Sequence, residues 1–254
     1  MKDINRVKKN CAEGKPSLGT YATLSPTAVE IAAIAGFDFV RLDPYHVACS
    51  PEVLGNMVRA AYAHGVTPWA RVRNDPYEIM TALDLGVQAI TVPNCGTVAA
   101  ARAAVAAVHY PPLGEREMSR PLRLRNLTGA EYLEWSRTQL MLSVQIEGSE
   151  GLQNYRDIVR VEGVDCIQTG RNDLSQALGV PGENLHPKVL DAEKRIVEAA
   201  LEAGKQVSLV HSLNDDGLER AARWIEQGVR IMTVDSDYMV LLESYRKGLS
   251  RLRR

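Results

Sequence analysis

Val144-Gln-Ile-Glu147, followed by Gly163-Val-Asp-Cys-Ile-Gln-Thr-Gly170-Arg-Asn-Asp173-Leu-Ser175, is the stretch on which the reading of this chain turns. Each half reads as a buried β-strand that ends at or near a carboxylate. The same alternation extends in both directions. Short apolar runs fall near 17–22, 37–43, 67–72, 89–94, 140–147, 165–170, 206–212 and 230–236. Amphipathic helical patterns separate them, near 25–35, 51–64, 75–86, 97–108, 129–138, 150–161, 187–204 and 214–228. Ser25-Pro26 and Ser50-Pro51 read as an N-cap followed by proline at the first helical position. Gly36, Gly65, Gly86, Gly204 and Gly228 stand where helices should stop.

Strict strand–helix alternation implies a parallel sheet, and at 254 residues a closed (β/α)8 barrel is the best solution. A doubly wound open sheet is the alternative. No GxGxxG follows the first strand and no GxxxxGK[ST] occurs, which argues against its nucleotide-binding versions. The whole chain, 1–254, is expected to be one barrel domain. A last helix over 237–252 carries Tyr238, Met239, Leu241, Leu242, Tyr245 and Leu249, which either seal the barrel or pack on a neighbouring subunit. Residues 111–127, PPLGEREMSRPLRLRNL, form a long arginine-rich connection that reads as a lid.

Composition narrows the partners. The formal net charge is −1, so neither nucleic acid nor an anionic membrane surface is expected. Cys11, Cys49, Cys95 and Cys166 form no CxxC and read as reduced thiols of a cytoplasmic protein. The opening MKDINRVKKN has no apolar signal core, and no apolar run approaches the roughly 20 residues of a membrane span.

In a barrel the reactive face lies at the C-terminal ends of the strands. The residues expected there are Asp43 and His46, Arg71 and Arg73, Asn94, Glu147, Asp173, His211 and Ser212, and Asp235 and Asp237. Glu147 and Asp173 have the donor type that Mg²⁺ or Mn²⁺ prefers, and two ligands leave coordination positions for substrate oxygens. Without a partner they read equally well as solvated carboxylates at strand ends. The lysines stand at 2, 8, 9, 15, 188, 194, 205 and 247, none at a strand end, so Schiff-base activation of a carbonyl is not expected.

These residues fall into a longer pattern: Gly19-Thr-Tyr, Glu30-Ile-Ala-Ala-Ile-Ala-Gly-Phe-Asp38, Asp43-Pro-Tyr-His46, Ala70-Arg-Val-Arg73 and Ala82-Leu-Asp84-Leu-Gly86. It continues through Val92-Pro93, Tyr110-Pro-Pro-Leu-Gly114-Glu-Arg116, Gln145-Ile-Glu147 and Gly170-Arg-Asn-Asp173-Leu-Ser175. Over nearly its whole length the chain resembles the HpcH/HpaI aldolases, the metal-dependent class II pyruvate aldolases. The resemblance implies a TIM barrel of the phosphoenolpyruvate/pyruvate-binding type. It implies a divalent cofactor (Mg²⁺, Mn²⁺ or Co²⁺) on Glu147 and Asp173. Arg71 would hold the pyruvyl group, His46 and Asp84 would form a general-base dyad, and the backbone of Gly170, Arg171 and Asn172 would cradle the substrate carboxylate. The implied reaction cleaves a 4-hydroxy-2-oxo acid to pyruvate and an aldehyde through a metal-bound enolate. The implied assembly is a homo-oligomer, a hexamer built as a trimer of dimers.

Three positions depart from the pattern. Tyr45 stands where the family carries Glu before the histidine, Arg171 replaces a proline beside Asn172, and Glu117 follows Arg116 in place of glycine. Tyr45, Asp43, Arg73, Arg116 and His211 are therefore further candidates for contact with substrate. The departures point to a shifted substrate or reaction, such as oxaloacetate decarboxylation or condensation of an enolate with another electrophile. A non-catalytic barrel that binds 2-oxo acids is the remaining reading.

Overall fold

The computed structural model describes residues 4–253. Eight parallel strands close into a barrel in sequence order, with the first paired to the last. They are β1 (Ser17–Tyr21), β2 (Phe39–Leu42), β3 (Thr67–Arg71), β4 (Ala89–Val92), β5 (Met141–Ile146), β6 (Cys166–Thr169), β7 (Gln206–His211) and β8 (Ile231–Ser236). The barrel, rather than the open sheet, is the solution adopted. Strands β2, β4, β5 and β6 are buried at every position, as strands covered on both faces must be.

The chain begins with α1 (Arg6–Ala12), which the sequence pattern did not mark. The expected helices follow: α2 (Pro26–Ile34), α3 (Pro51–Ala63), α4 (Pro76–Asp84), α5 (Val98–Val108), α6 (Gly129–Gln139) and α7 (Ser149–Ile158). After β6 comes α8 (Arg171–Ala177), also unmarked, then α9 (Pro187–Glu202), α10 (Asp215–Glu226) and α11 (Asp237–Leu252). The caps read from sequence are present. The Ser25 and Ser50 hydroxyls accept from the N–H groups of Ala28 and Val53, with proline next to each. Gly86 and Gly228 end their helices at φ of 104° and 101°.

The interior is layered. At the strand starts Phe39, Trp69, Ala89, Met141, Cys166 and Ile231 form a closed apolar layer beneath Val7 of α1. Asn5 caps α1 and ties it to the barrel through Gln139 and Gln88. One level up, Arg41 fills the barrel axis. Its guanidinium donates to the hydroxyls of Thr233 (2.8 Å), Thr91 (3.0 Å) and Ser208 (2.8 Å) and stacks over Trp69. Those three acceptors and the aromatic face are what make a fully buried cation tolerable. Above it the barrel opens.

Two expectations are corrected here. A helix that leaves the top of one strand ends near the foot of the next, so residues 111–127, which follow α5, lie at the foot of the barrel. Arg123 stacks on Tyr62 at the end of α3, and Arg116 pairs with Asp84 at the end of α4. This connection, with a 3-10 turn at Leu122–Leu124, is not a lid over the chain's own catalytic face. Nor does α11 seal the barrel, since none of its residues is buried and Tyr245 and Leu249 are exposed. Among the described residues no helix is long and apolar enough to cross a membrane.

Candidate active site

Glu147 follows directly on β5, and its side chain is fixed from three sides. The backbone N–H of Asn94 donates to Oε1 at 2.9 Å, and the Gln145 amide donates to Oε2. Asn94 presents that N–H because it adopts φ of 49°, a left-handed conformation that asparagine tolerates better than most residues. Gly170, at the top of β6, lies so close that a Cβ there would overlap Oε2. Asp173, in the first turn of α8, is within hydrogen-bonding reach of Glu147. Burial, reinforced by Asp173 and opposed by the Asn94 N–H and Arg71, pushes the Glu147 carboxyl up to about 7. Glu147 is buried and Asp173 faces the open mouth, and two carboxylates this close with no cation between them repel, so a hard divalent cation is the partner their oxygens suit. The residues present therefore fit such an ion. Among the described residues no cluster of three or more His, Cys, Asp or Glu side chains gathers for metal binding, so these two carboxylates would hold it with substrate or solvent oxygens.

Arg71 ends β3 and is gripped by Asp43 at the end of β2. Its Nε donates to Asp43 Oδ1 at 2.9 Å, and Nη2 donates to Oδ2. Burial works against the Arg71 charge, but the fork to Asp43, with Tyr21 and Glu147, outweighs it and keeps the guanidinium firmly charged. His46, on the loop after β2, lies edge-on to Tyr45. It lines two adjoining cavities. One, of about 510 Å³, is walled by Arg71, Asp43, Gln145, Gly170, Arg171, Asn172, Asp173 and His211. The other, of about 420 Å³, is walled by Tyr45, Asn94, Glu147 and Asp173. A larger groove of about 1360 Å³ runs between α5, α6 and α7. The ionisable groups converge in the two smaller cavities, at the end where barrel chemistry sits.

A family model described as HpcH/HpaI aldolase/citrate lyase matches residues 21–243. The chain belongs to the HpcH/HpaI aldolase/citrate lyase family. It is 34% identical to a hydroxypyruvate/pyruvate aldolase of Pseudomonas aeruginosa, over 98% of this chain and 93% of that protein. Among solved structures, an HpcH/HpaI aldolase from Desulfitobacterium hafniense superposes with a TM-score of 0.91 at 26% identity, covering 97% of this chain and 96% of that one. A citrate synthase superposes with a TM-score of 0.88 at 28% identity, covering 97% and 96%.

Against the family pattern, the fold brings His46, Arg71, Glu147, Gly170, Arg171, Asn172, Asp173, Asp43, Tyr45 and His211 to one mouth. It does not bring Asp84 there. Asp84 ends α4 at the foot of the barrel, where Arg116 donates to it at 2.9 Å. Within one chain, therefore, His46 and Asp84 form no dyad, and Arg116, buried beside Asp84, cannot touch substrate in its own barrel. Arg73 is on the upper rim but points to Glu78 at the start of α4, outside both cavities. Sequence reasoning missed Gln145, which orients Glu147, and Glu193, which is buried behind Arg171. Each had a signal. Gln145 is two residues from Glu147 on the same strand face. Glu193 interrupts the apolar stripe of Val189, Ala192, Ile196 and Val197 along α9.

Proposed function

We propose that this chain is a divalent-cation-dependent aldehyde-lyase that cleaves a 4-hydroxy-2-oxo acid to pyruvate and an aldehyde. The observation that carries the reading is the buried Glu147 carboxyl, with the exposed Asp173 carboxyl against it, beside the Asp43-clamped Arg71 at the mouth of the barrel. When bound, Mg²⁺, Mn²⁺ or Co²⁺ supplies Lewis acidity toward the 2-oxo and carboxylate oxygens of the substrate. Arg71, held rigid by Asp43, orients the 2-oxo group and offsets the negative charge that builds on its oxygen as the carbon–carbon bond breaks. The first-turn N–H groups of α8 lack intrahelical partners, and this uncapped end suits the substrate carboxylate. His46, which lines both cavities, takes the proton from the 4-hydroxyl as general base.

Because Asp84 lies at the far end of its own barrel, an Asp84 that orients His46 must come from a second copy. The apolar side chains exposed along α11 support such an assembly, a homo-oligomer of the hexameric, trimer-of-dimers kind. The partner of the active face is a small 2-oxo acid.

A second reading keeps the same site but changes the reaction. Tyr45 occupies the place of a family carboxylate next to His46, and the chain is also similar to a citrate synthase, which favours oxaloacetate decarboxylation or enolate condensation as alternatives. The deciding experiment follows pyruvate release by coupled NADH oxidation from a panel of 4-hydroxy-2-oxo acids and oxaloacetate. Metal-stripped protein is compared with Mg²⁺, Mn²⁺ or Co²⁺ restored and with Glu147→Gln. Cation-dependent release from a hydroxy-oxo acid, lost in the variant, supports the lyase. Release from oxaloacetate alone that survives His46→Ala moves the assignment to decarboxylase. Binding of pyruvate without turnover of any substrate points to a non-catalytic barrel.

A further inference from the structure

Deep on the barrel axis, Arg41 carries a charge that the proposed chemistry leaves unused. It is 1% exposed, and its three hydrogen-bond acceptors, the hydroxyls of Thr91, Ser208 and Thr233, are all neutral. A buried cation with no carboxylate bonded to it is costly to keep, even over the face of Trp69. Burial works against its charge, and of the ionisable groups that favour it Tyr21 comes first, ahead of Cys166 and Asp43. Arg41 and Tyr21 are direct neighbours across the β1–β2 ladder.

Tyr21 ends β1 and faces the interior. A Cβ on Gly19 would overlap the ring of Phe39 in the axial layer, and residues two apart on a strand share a face. The Tyr21 ring lies within reach of two guanidiniums, with Arg41 Cζ 5.9 Å and Arg71 Cζ 5.4 Å from its centroid. The side chain is half-buried and walls the same cavity as Arg71, Gln145, Gly170 and Asp173. Among the described residues its hydroxyl makes no hydrogen bond, and it is not one of the polar atoms sealed from solvent. A phenol open to the substrate cavity and backed by two fixed cations can give up its proton, because the charge left on oxygen is offset where it forms.

We propose that Tyr21 is a further catalytic residue, the acid that protonates C3 of the enolate, and that Arg41 is the positioning residue whose charge steadies the phenolate. The inference rests on the lyase reading and completes its proton account. Retro-aldol cleavage leaves the electron pair of the broken C3–C4 bond in the enolate, and pyruvate forms only when C3 gains a proton. His46, on the loop after β2, holds the proton taken from the 4-hydroxyl and passes it to solvent as the aldehyde leaves. Tyr21 Oη–H, inside the barrel, gives its proton to C3 while the 2-oxo carbonyl reforms. The phenolate faces Arg41 and Arg71 until water returns a proton to it.

The test is exchange of the C3 protons of pyruvate in D₂O, followed by proton NMR on protein with Mg²⁺ restored. Exchange runs the C3 step alone and needs no aldehyde. Tyr21→Phe keeps the ring beside both guanidiniums and should slow exchange at saturating pyruvate about 100-fold, with pyruvate binding by calorimetry little changed. Cleavage of a 4-hydroxy-2-oxo acid by this variant should give a burst of aldehyde equal to the number of sites, then slow release of pyruvate. Arg41→Met, whose fold a thermal melt checks, should also slow exchange without loss of pyruvate binding, and Arg41→Lys should recover part of it. Tyr77→Phe, on the exposed side of α4, should match the native protein. Exchange as fast in Tyr21→Phe as in the native protein refutes the role of Tyr21 and leaves the lyase reading standing. So does a variant that loses the aldehyde burst and pyruvate binding together with exchange, because Tyr21 then only shapes the cavity. Full exchange in Arg41→Met refutes the part given to Arg41. A native protein that binds pyruvate but neither exchanges it nor cleaves any hydroxy-oxo acid refutes the lyase reading, and this role of Tyr21 with it.

Discussion

The Glu147 carboxyl joins the electrostatics of the site to solution behaviour. Its pKa is raised from an ordinary value near 4.5 to about 7, chiefly by burial and then by Asp173. A cation must displace the proton, so divalent-ion affinity should fall as pH drops through about 7, approaching tenfold per unit for this group. The sign for folding is opposite. Between 4.5 and about 7 the metal-free native state holds a proton that the unfolded chain releases, so stability should decline as pH rises through that window. Calorimetric titration and thermal melts between pH 5 and 8 (roughly one unit beyond each limit) read both effects. Metal affinity indifferent to pH would remove Glu147 from the site. Asn94 gives a second test, because its φ of 49° aims the N–H at Glu147. Valine there should cost about 1–2 kcal/mol, a fall in Tm of roughly 2–8 °C, and weaken the ion. Glycine, free to adopt that φ, should remain closer to the native protein in both respects.

At the level of elements, the short helices carry the surprises. Helices α1 and α8 have seven residues each, too few for a hydrophobic period to show, and their stability comes from what they pack against. Val7 is the buried residue of α1, and it closes the apolar layer at the foot of the barrel. Val7→Ala should destabilise by about 1–2 kcal/mol through the cavity left there, a drop in Tm of roughly 2–8 °C. The behaviour of the mouth should be untouched, because Arg41 and its hydroxyl partners separate this layer from it. A melt unchanged by the substitution would mean that α1 does not seal the barrel. The long helices were legible because caps and periodicity agree, as in α3, which runs from Ser50-Pro51 to its stop before Gly65.

At the level of the whole molecule, the separation of His46 from Asp84 is the fact to explain. If Asp84 serves another copy's histidine, His46→Ala and Asp84→Asn proteins should each be impaired alone and complement each other when mixed. Random reassociation restores roughly a quarter of the sites in a closed symmetric oligomer. Mixed samples no more active than the separate variants would confine Asp84 to its structural pairing with Arg116. Light scattering of Leu241→Glu, on the exposed face of α11, should show dissociation relative to the native protein if that face is an interface.

What the sequence by itself determined is local and periodic. Alternating apolar strands and capped amphipathic helices permit little besides a parallel sheet wrapped in helices, and the strand ends already carried Arg71, Glu147 and the approach to Asp173. The tertiary structure decided which end of the barrel each remaining group occupies and what it touches there. Closure put Asp84 and Arg116 at the foot, away from His46, and turned the expected lid into packing beneath the barrel. It also set Arg171 against Val210, Glu193 and His211, residues 22 to 40 positions away, as no pattern along α8 could reveal. The physical reason is that secondary structure follows neighbours along the chain, whereas the partner of a buried charge is whichever group closure carries to it.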